Sequence, residues 1–259
     1  MNTLQLTTQG AIARVTLSRP EVRNAFNEAV IGELTATFLE LGARKDLRAI
    51  VLAAEGKAFC AGADLNWMRA MAQYSWDENH ADARRLADML WAIYHCPVPV
   101  VARVQGDVYA GGVGLVACAD VVVSTAHAGY CLSEAKLGLL PATIGPYVVK
   151  AMGERQARRY FTTAERFDAT TAQALGLVHE VVADEAALDA KVAELTKALC
   201  TNGPQAVRAC KQLVLDLADR PLSAAQRDDT ARRIADIRAS DEGRAGVQSF
   251  LNKIPAPWL

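Results

Sequence analysis

A chain of 259 residues, 51% of them hydrophobic, holds enough apolar material for one large core or two smaller ones without disulfide or metal staples. With 28 basic and 29 acidic residues the formal charge is -1, so no overall field draws the chain to nucleic acid or to an anionic membrane. Cys60, Cys96, Cys118, Cys131, Cys200 and Cys210 lack paired metal-ligand spacing, Met1 to Val15 lacks a leader pattern, and no run approaches the ~20 apolar residues of a membrane span; reduced thiols in a cytoplasmic protein are expected.

In chain order, Ile12 to Leu17 is a β-branched run ending at Ser18-Arg19-Pro20, and Asn27 to Arg44 then spaces Val30, Ile31, Leu34, Phe38 and Leu41 as one helical face. The plan repeats with Ala49 to Ala54 before Glu55-Gly56-Lys57, and with Val98 to Val104 before Gln105-Gly106-Asp107. Asp77 to Tyr94 supplies a second amphipathic helix, and Val121 to Val123 a fourth strand. Short apolar strands alternating with helices predict an α/β core. After Val182 the pattern turns helical, over Asp184 to Cys200, Pro204 to Leu217 and Ser223 to Ala239. Asp184 and Ser223 are the expected N-caps, and Asn202-Gly203-Pro204 breaks two helices apart.

Two turns carry the chemistry. Ala58-Phe59-Cys60-Ala61-Gly62-Ala63-Asp64-Leu65 follows a buried strand and leads into a helix beginning near Asn66, a junction with free N–H groups and small residues. Gly106-Asp107-Val108-Tyr109-Ala110-Gly111-Gly112-Val113-Gly114 again follows a strand, and precedes the apolar helical run Leu115 to Cys118. Singly, such a loop is more often an ordinary tight turn. Two of them at equivalent places in successive units can aim paired donors at one oxygen. The histidines, His80, His95, His127 and His179, have no zinc-like spacing, and no serine occupies a nucleophile elbow, so metal and serine hydrolysis find no support.

Taken together, A-G-A-D-L at Ala61 to Leu65 and G-x-x-x-x-G-G at Gly106 to Gly112 resemble the crotonase (enoyl-CoA hydratase/isomerase) family. The resemblance runs from about Leu4 to Phe250 and includes Arg19-Pro20, Arg23-Asn24-Ala25, Cys96 to Val100, Ala119-Asp120, and Ser133-Glu134 through Leu137 to Pro141. It implies a spiral of strand-strand-helix units over residues 1–195 and a helical trimerisation module over 196–259. The implied oligomer is a homotrimer or a hexamer of paired trimers. The implied ligand is an acyl-CoA, with coenzyme A arriving as part of the substrate and no permanently bound cofactor.

By the same resemblance the oxyanion donors are the N–H groups of Ala63 and Gly111, and the carboxylate is Glu134. Family hydratases commonly carry a second glutamate, whose place here is Gly114. Leu132, Leu137, Leu139 and Leu140 suggest a partly desolvated Glu134, raising its pKa toward the range useful for proton exchange. Arg23, Ala25, Ala61, Asp64, Leu65, Phe250 and Lys253 are the implied coenzyme contacts. Trp67, Met68, Tyr109 and Gly114 are the expected acyl-pocket residues, Trp67 and Met68 reading equally well as core packing. Asp64 to Met68, Gly111 to Cys118 and Arg159 to Phe167 resemble bacterial methylglutaconyl-CoA hydratases of leucine catabolism and their isohexenylglutaconyl-CoA relatives. In that setting Gly114 is expected to free space for a branched acyl chain, while Arg69 and Lys136 are conceivable partners for its carboxylate. An isomerase or decarboxylase of the same fold is the alternative; an RNA-binding or scaffold role is disfavoured by the balanced charge.

Overall fold

The computed structural model describes residues 3–259; Met1 and Asn2, at the start of the segment read for a leader, lie outside them. Eight of its strands and all the early helices come from a repeated unit. The first unit comprises β1 (Leu4–Gln9), β2 (Ile12–Leu17) and α1 (Glu28–Ala43); the second β3 (Ala49–Ala54), β4 (Ala58–Cys60), α2 (Leu65–Met71) and α3 (Trp76–Tyr94). The third comprises β5 (Val100–Val104), β6 (Asp107–Tyr109) and α4 (Gly111–Cys118). The fourth comprises β7 (Val121–Thr125), β8 (Gly129–Cys131), a 3-10 turn (Glu134–Leu137), α5 (Gly145–Met152) and α6 (Glu154–Thr163). Then follow β9 (Phe167–Asp168), α7 (Ala169–Ala174), β10 (Glu180–Val182) and the helices α8 (Glu185–Thr201), α9 (Pro204–Leu217), α10 (Ala224–Ala239) and α11 (Asp241–Asn252).

Two sheets result. The larger has the order β1-β2-β3-β5-β7-β10, parallel except for the β1–β2 hairpin. The smaller has the order β4-β6-β8-β9, its first three strands parallel. Each middle unit thus gives one strand to each sheet before its helix, which is the expected spiral. β3 and β5 are buried throughout, because both faces of the larger sheet are covered. Ile50, Leu52, Val100 and Ala102 join α1 and α3 in the main core, while Val51, Ala53, Val101 and Val123 pack against Leu188 and Val192 of α8. β5 starts only after Pro99, which has no N–H for the ladder, although its carbonyl still accepts from the Ile50 N–H at 2.9 Å.

The three-residue strands β4, β6 and β8 are too short for a periodic signal. Gly106 permits their close approach, since a Cβ there would overlap the Lys57 carbonyl. On the far side, Arg103 of β5 is buried against α8, donating to Asp189 at 2.6 Å and to Glu185 at 3.2 Å. A division at residue 195 would cut α8, a core-covering helix, so the helical module is better counted from Pro204. It is tied back to the core by Lys211 on Asp120 at 2.6 Å and by Arg208 on the Arg44 carbonyl at 2.6 Å. Asp184 and Ser223 do cap α8 and α10, accepting from the Ala187 and Gln226 N–H groups. Among the described residues no helix is long and apolar enough to cross a membrane.

Candidate active site

Strand register alone gathers the candidate residues. β4, β6 and β8 are parallel neighbours, with Cys60 opposite Val108 and Tyr109 opposite Cys131, so their C-terminal ends lie side by side. Ala63 follows the end of β4, Gly111 the end of β6 and Glu134 the end of β8. Ligands in parallel α/β folds bind at such strand ends, where loops leave the sheet. The turns also touch: a Cβ on Gly62 would lie 3.1 Å from Ala110 Cβ, and one on Gly112 would lie 2.8 Å from Cys60 Cβ.

Two amides there are left without acceptors. Phe26 N–H donates to the Gly62 carbonyl and Asp64 N–H to the Phe26 carbonyl, both at 2.7 Å, which engages the groups on either side of Ala63. The Ala63 N–H itself finds no acceptor among the described residues, and neither does that of Gly111, the first residue of α4. Ala110 stands at φ 47°, ψ -120°, a costly conformation for a residue with a side chain, held by its N–H on the Cys131 carbonyl at 2.8 Å. This strain sets the direction of the next peptide, which carries the Gly111 N–H.

Phe26, which the sequence reading passed over, and Arg19, which it quoted without a role, are positioning residues. The Phe26 backbone bridges to Ala63, and its ring is so close to Gly111 that a Cβ there would lie 2.7 Å from Cε2. Arg19 donates to Asp64 at 2.9 Å and to the Ala25 carbonyl at 2.8 Å. Asn24, flanking Phe26 at one remove, was within the quoted motif, but a bridge between residues 26 and 63 has no local signature.

Glu134 opens its 3-10 turn partly buried, and burial pushes its carboxyl above the ordinary range, against the pull of its own backbone N–H. Its Oε2 is enclosed with no hydrogen-bond partner among the described residues. The expected source of that desolvation needs correction. Leu132 is buried, but Leu137, Leu139 and Leu140 are 60%, 54% and 74% exposed, as a tight turn throws them outward.

The expectation of freed space at Gly114 is also corrected. Gly114 frees no space: a Cβ on it would overlap Ile144, lying 2.8 Å from the Ile144 Cβ. The Asp64 carboxylate is committed to structure, capping α2 through the Asn66 N–H at 2.8 Å and pairing with Arg19. Burial alone would raise its pKa, but the Asn66 N–H, Arg19 and the Trp67 N–H together hold it below the ordinary value. Ala25 is buried, its carbonyl accepting from Arg19 and its N–H donating to the Val22 carbonyl.

Of the remaining residues, Ala61 is held beside Arg23, whose carbonyl accepts its N–H at 3.0 Å, while the Arg23 side chain is exposed with no ion-pair partner among the described residues. Leu65 is exposed, Met68 and Tyr109 are half-buried, and Trp67 is buried with its indole N–H unpartnered among the described residues. Arg69 donates to Asn66 at 2.6 Å, and Lys136 is exposed at the end of the 3-10 turn. Phe250 and Lys253 lie at the exposed end of α11, which packs on α9 and α10.

Two free amides beside a desolvated carboxyl can hold an oxygen that gains negative charge and exchange a proton with a neighbouring carbon. Residues 7–259 match the family described as enoyl-CoA hydratase/isomerase. A putative enoyl-CoA hydratase of Thermus thermophilus is 32% identical over 247 residues, covering 95% of this chain and 97% of that protein. An enoyl-CoA hydratase structure from Shewanella pealeana superposes with a TM-score of 0.95 at 40% identity, over 99% of this chain and 96% of that one. A putative enoyl-CoA hydratase/isomerase (crotonase) from Legionella pneumophila gives a TM-score of 0.94 at 38% identity over 99% of both chains. The two-sheet spiral is therefore the crotonase fold, and the chain belongs to the enoyl-CoA hydratase/isomerase family of acyl-CoA enzymes.

Proposed function

We propose that this enzyme reversibly adds water to a branched, carboxylated 2-enoyl-CoA, converting 3-methylglutaconyl-CoA to 3-hydroxy-3-methylglutaryl-CoA. The observation that carries the reading is the pair of acceptor-less amides at Ala63 and Gly111 beside the half-buried Glu134, at the ends of three adjacent strands. The thioester oxygen sits between the two N–H groups, and each preorganised donor stabilises the developing enolate by roughly 3 kcal/mol. Glu134 directs water to the β-carbon, takes a proton from it, and returns a proton to the α-carbon. Lys136, exposed near the end of the 3-10 turn that Glu134 opens, offers positive charge for a distal carboxylate, whereas Arg166 is already paired with Asp107 at 2.8 Å.

The exposed Arg23 and the Ala61 and Leu65 turn are suited to the phosphate and pantetheine parts of the coenzyme. Val247, Phe250, Leu251 and Ile254 turn apolar side chains outward on α11 and just beyond it, which supports assembly into a trimer or hexamer whose neighbour closes over the nucleotide through Phe250 and Lys253. A second reading has its own support. With Ile144 packed where a second carboxylate would enter, a one-acid isomerase or decarboxylase is the alternative.

The test is a panel of 3-methylglutaconyl-CoA, isohexenylglutaconyl-CoA and crotonyl-CoA with products read by mass. Gain of one water on a glutaconyl substrate supports the hydratase; an unchanged mass with a moved double bond identifies the isomerase. Preference for crotonyl-CoA sinks the branched, carboxylated assignment.

A further inference from the structure

Gly114 lies one turn of α4 beyond the Gly111 amide and is buried. The residue filling the space above it is Ile144, which immediately precedes α5 and is 1% exposed; Leu90 of α3 closes the side, 3.5 Å from where a Cβ on Gly114 would stand. The backbone of α4 and the Ile144 side chain are therefore interlocked: neither position can gain volume unless the other gives it up. Ile144 is also linked to Glu134 by the short segment 138–143, in which Pro141 is buried and residues 138–140 are exposed, so one stretch of chain carries both the carboxyl and this filler.

We propose that Ile144 is a specificity-determining residue, setting the depth of the acyl site through its interlock with Gly114. On the acyl-CoA reading above, on which this rests, what limits the acyl chain at that wall is an aliphatic side chain from the α5 entrance. Shortening Ile144 opens an apolar hole one helical turn from the oxyanion amide. A methyl group added at Gly114 refills that hole from the opposite side.

Saturated thioesters read this without turnover. Butyryl-CoA and hexanoyl-CoA are titrated calorimetrically into the wild type, Ile144→Ala, Ile144→Val and the double variant Gly114→Ala/Ile144→Ala. The preference for hexanoyl over butyryl is expected to rise by roughly tenfold in Ile144→Ala, as two further methylenes become buried. It should rise less in Ile144→Val, the variant that keeps the test open if the alanine protein does not fold, and fall back in the double variant. In denaturation, Gly114→Ala alone should lower the midpoint more than it does on the Ile144→Ala background.

A preference unchanged in Ile144→Ala, or in Ile144→Val should only that variant fold, makes Ile144 a packing residue and overturns the proposal. A raised preference that persists in the double variant overturns the interlock. A wild type that binds neither thioester overturns the acyl-CoA reading and this proposal with it, whereas intact binding with an unchanged preference overturns this proposal alone.

Discussion

Replacing Glu134 with glutamine should change activity and stability in opposite directions. The amide keeps the shape of the side chain but neither releases nor accepts the proton, so turnover is expected to fall by about 10²–10⁴-fold, equivalent to roughly 3–5 kcal/mol of barrier. Stability follows from the raised carboxyl pKa. Burial with no partner for Oε2 disfavours the charged form in the folded protein, whereas the unfolded chain ionises normally. Wild-type stability attributable to this group is therefore complete below the ordinary glutamate pKa and is lost as pH rises through the higher folded value. Glutamine has no such dependence. Glu134→Gln should accordingly match the wild type in acid and exceed it at neutral pH, read by urea denaturation at both, while loss of enoyl-thioester absorbance follows turnover. A variant that retains turnover within about tenfold removes Glu134 from the chemistry. One that is less stable than wild type at neutral pH refutes the desolvation argument.

Asp64→Ala removes both the α2 cap and the Arg19 partner and should cost about 1–2 kcal/mol, whereas Asp64→Asn keeps the cap and costs less. Because the folded pKa of Asp64 is depressed, its contribution is present above the ordinary aspartate range and lost as pH falls through the lower folded value, so the gap between Asp64→Ala and wild type should close in acid denaturation. Gly106→Ala drives a methyl group into the Lys57 backbone and should cost about 1–3 kcal/mol or more in urea denaturation; Gly129→Ala meets only the Arg166 guanidinium, which can swing aside, and should cost less. Asp189→Ala leaves the buried Arg103 with only Glu185 and should cost about 1–3 kcal/mol, while Arg103→Met, removing the charge itself, should be closer to neutral by thermal melting.

Local patterns in the chain determine most of its long elements. Ile12–Leu17 and Ala49–Ala54 are strands at the bounds their β-branched and apolar runs predict, and Asn27 and Arg44 flank α1 as its caps, because burial period and capping chemistry act within a few residues. The glycine-rich turns and Glu134 were legible in the same way, as residue types in a family order. Tertiary structure decided what those residues do to one another. The three-residue strands β4, β6 and β8 are stable only as neighbours in a sheet, and their pairing is what sets residues 63, 111 and 134 at adjacent strand ends. Phe26 against Ala63, Arg19 on Asp64 and Ile144 over Gly114 join positions 30 or more residues apart, where no periodicity or propensity reaches. An absent carboxylate is visible from the sequence alone; whether its place is empty or filled depends on which distant side chain packs there.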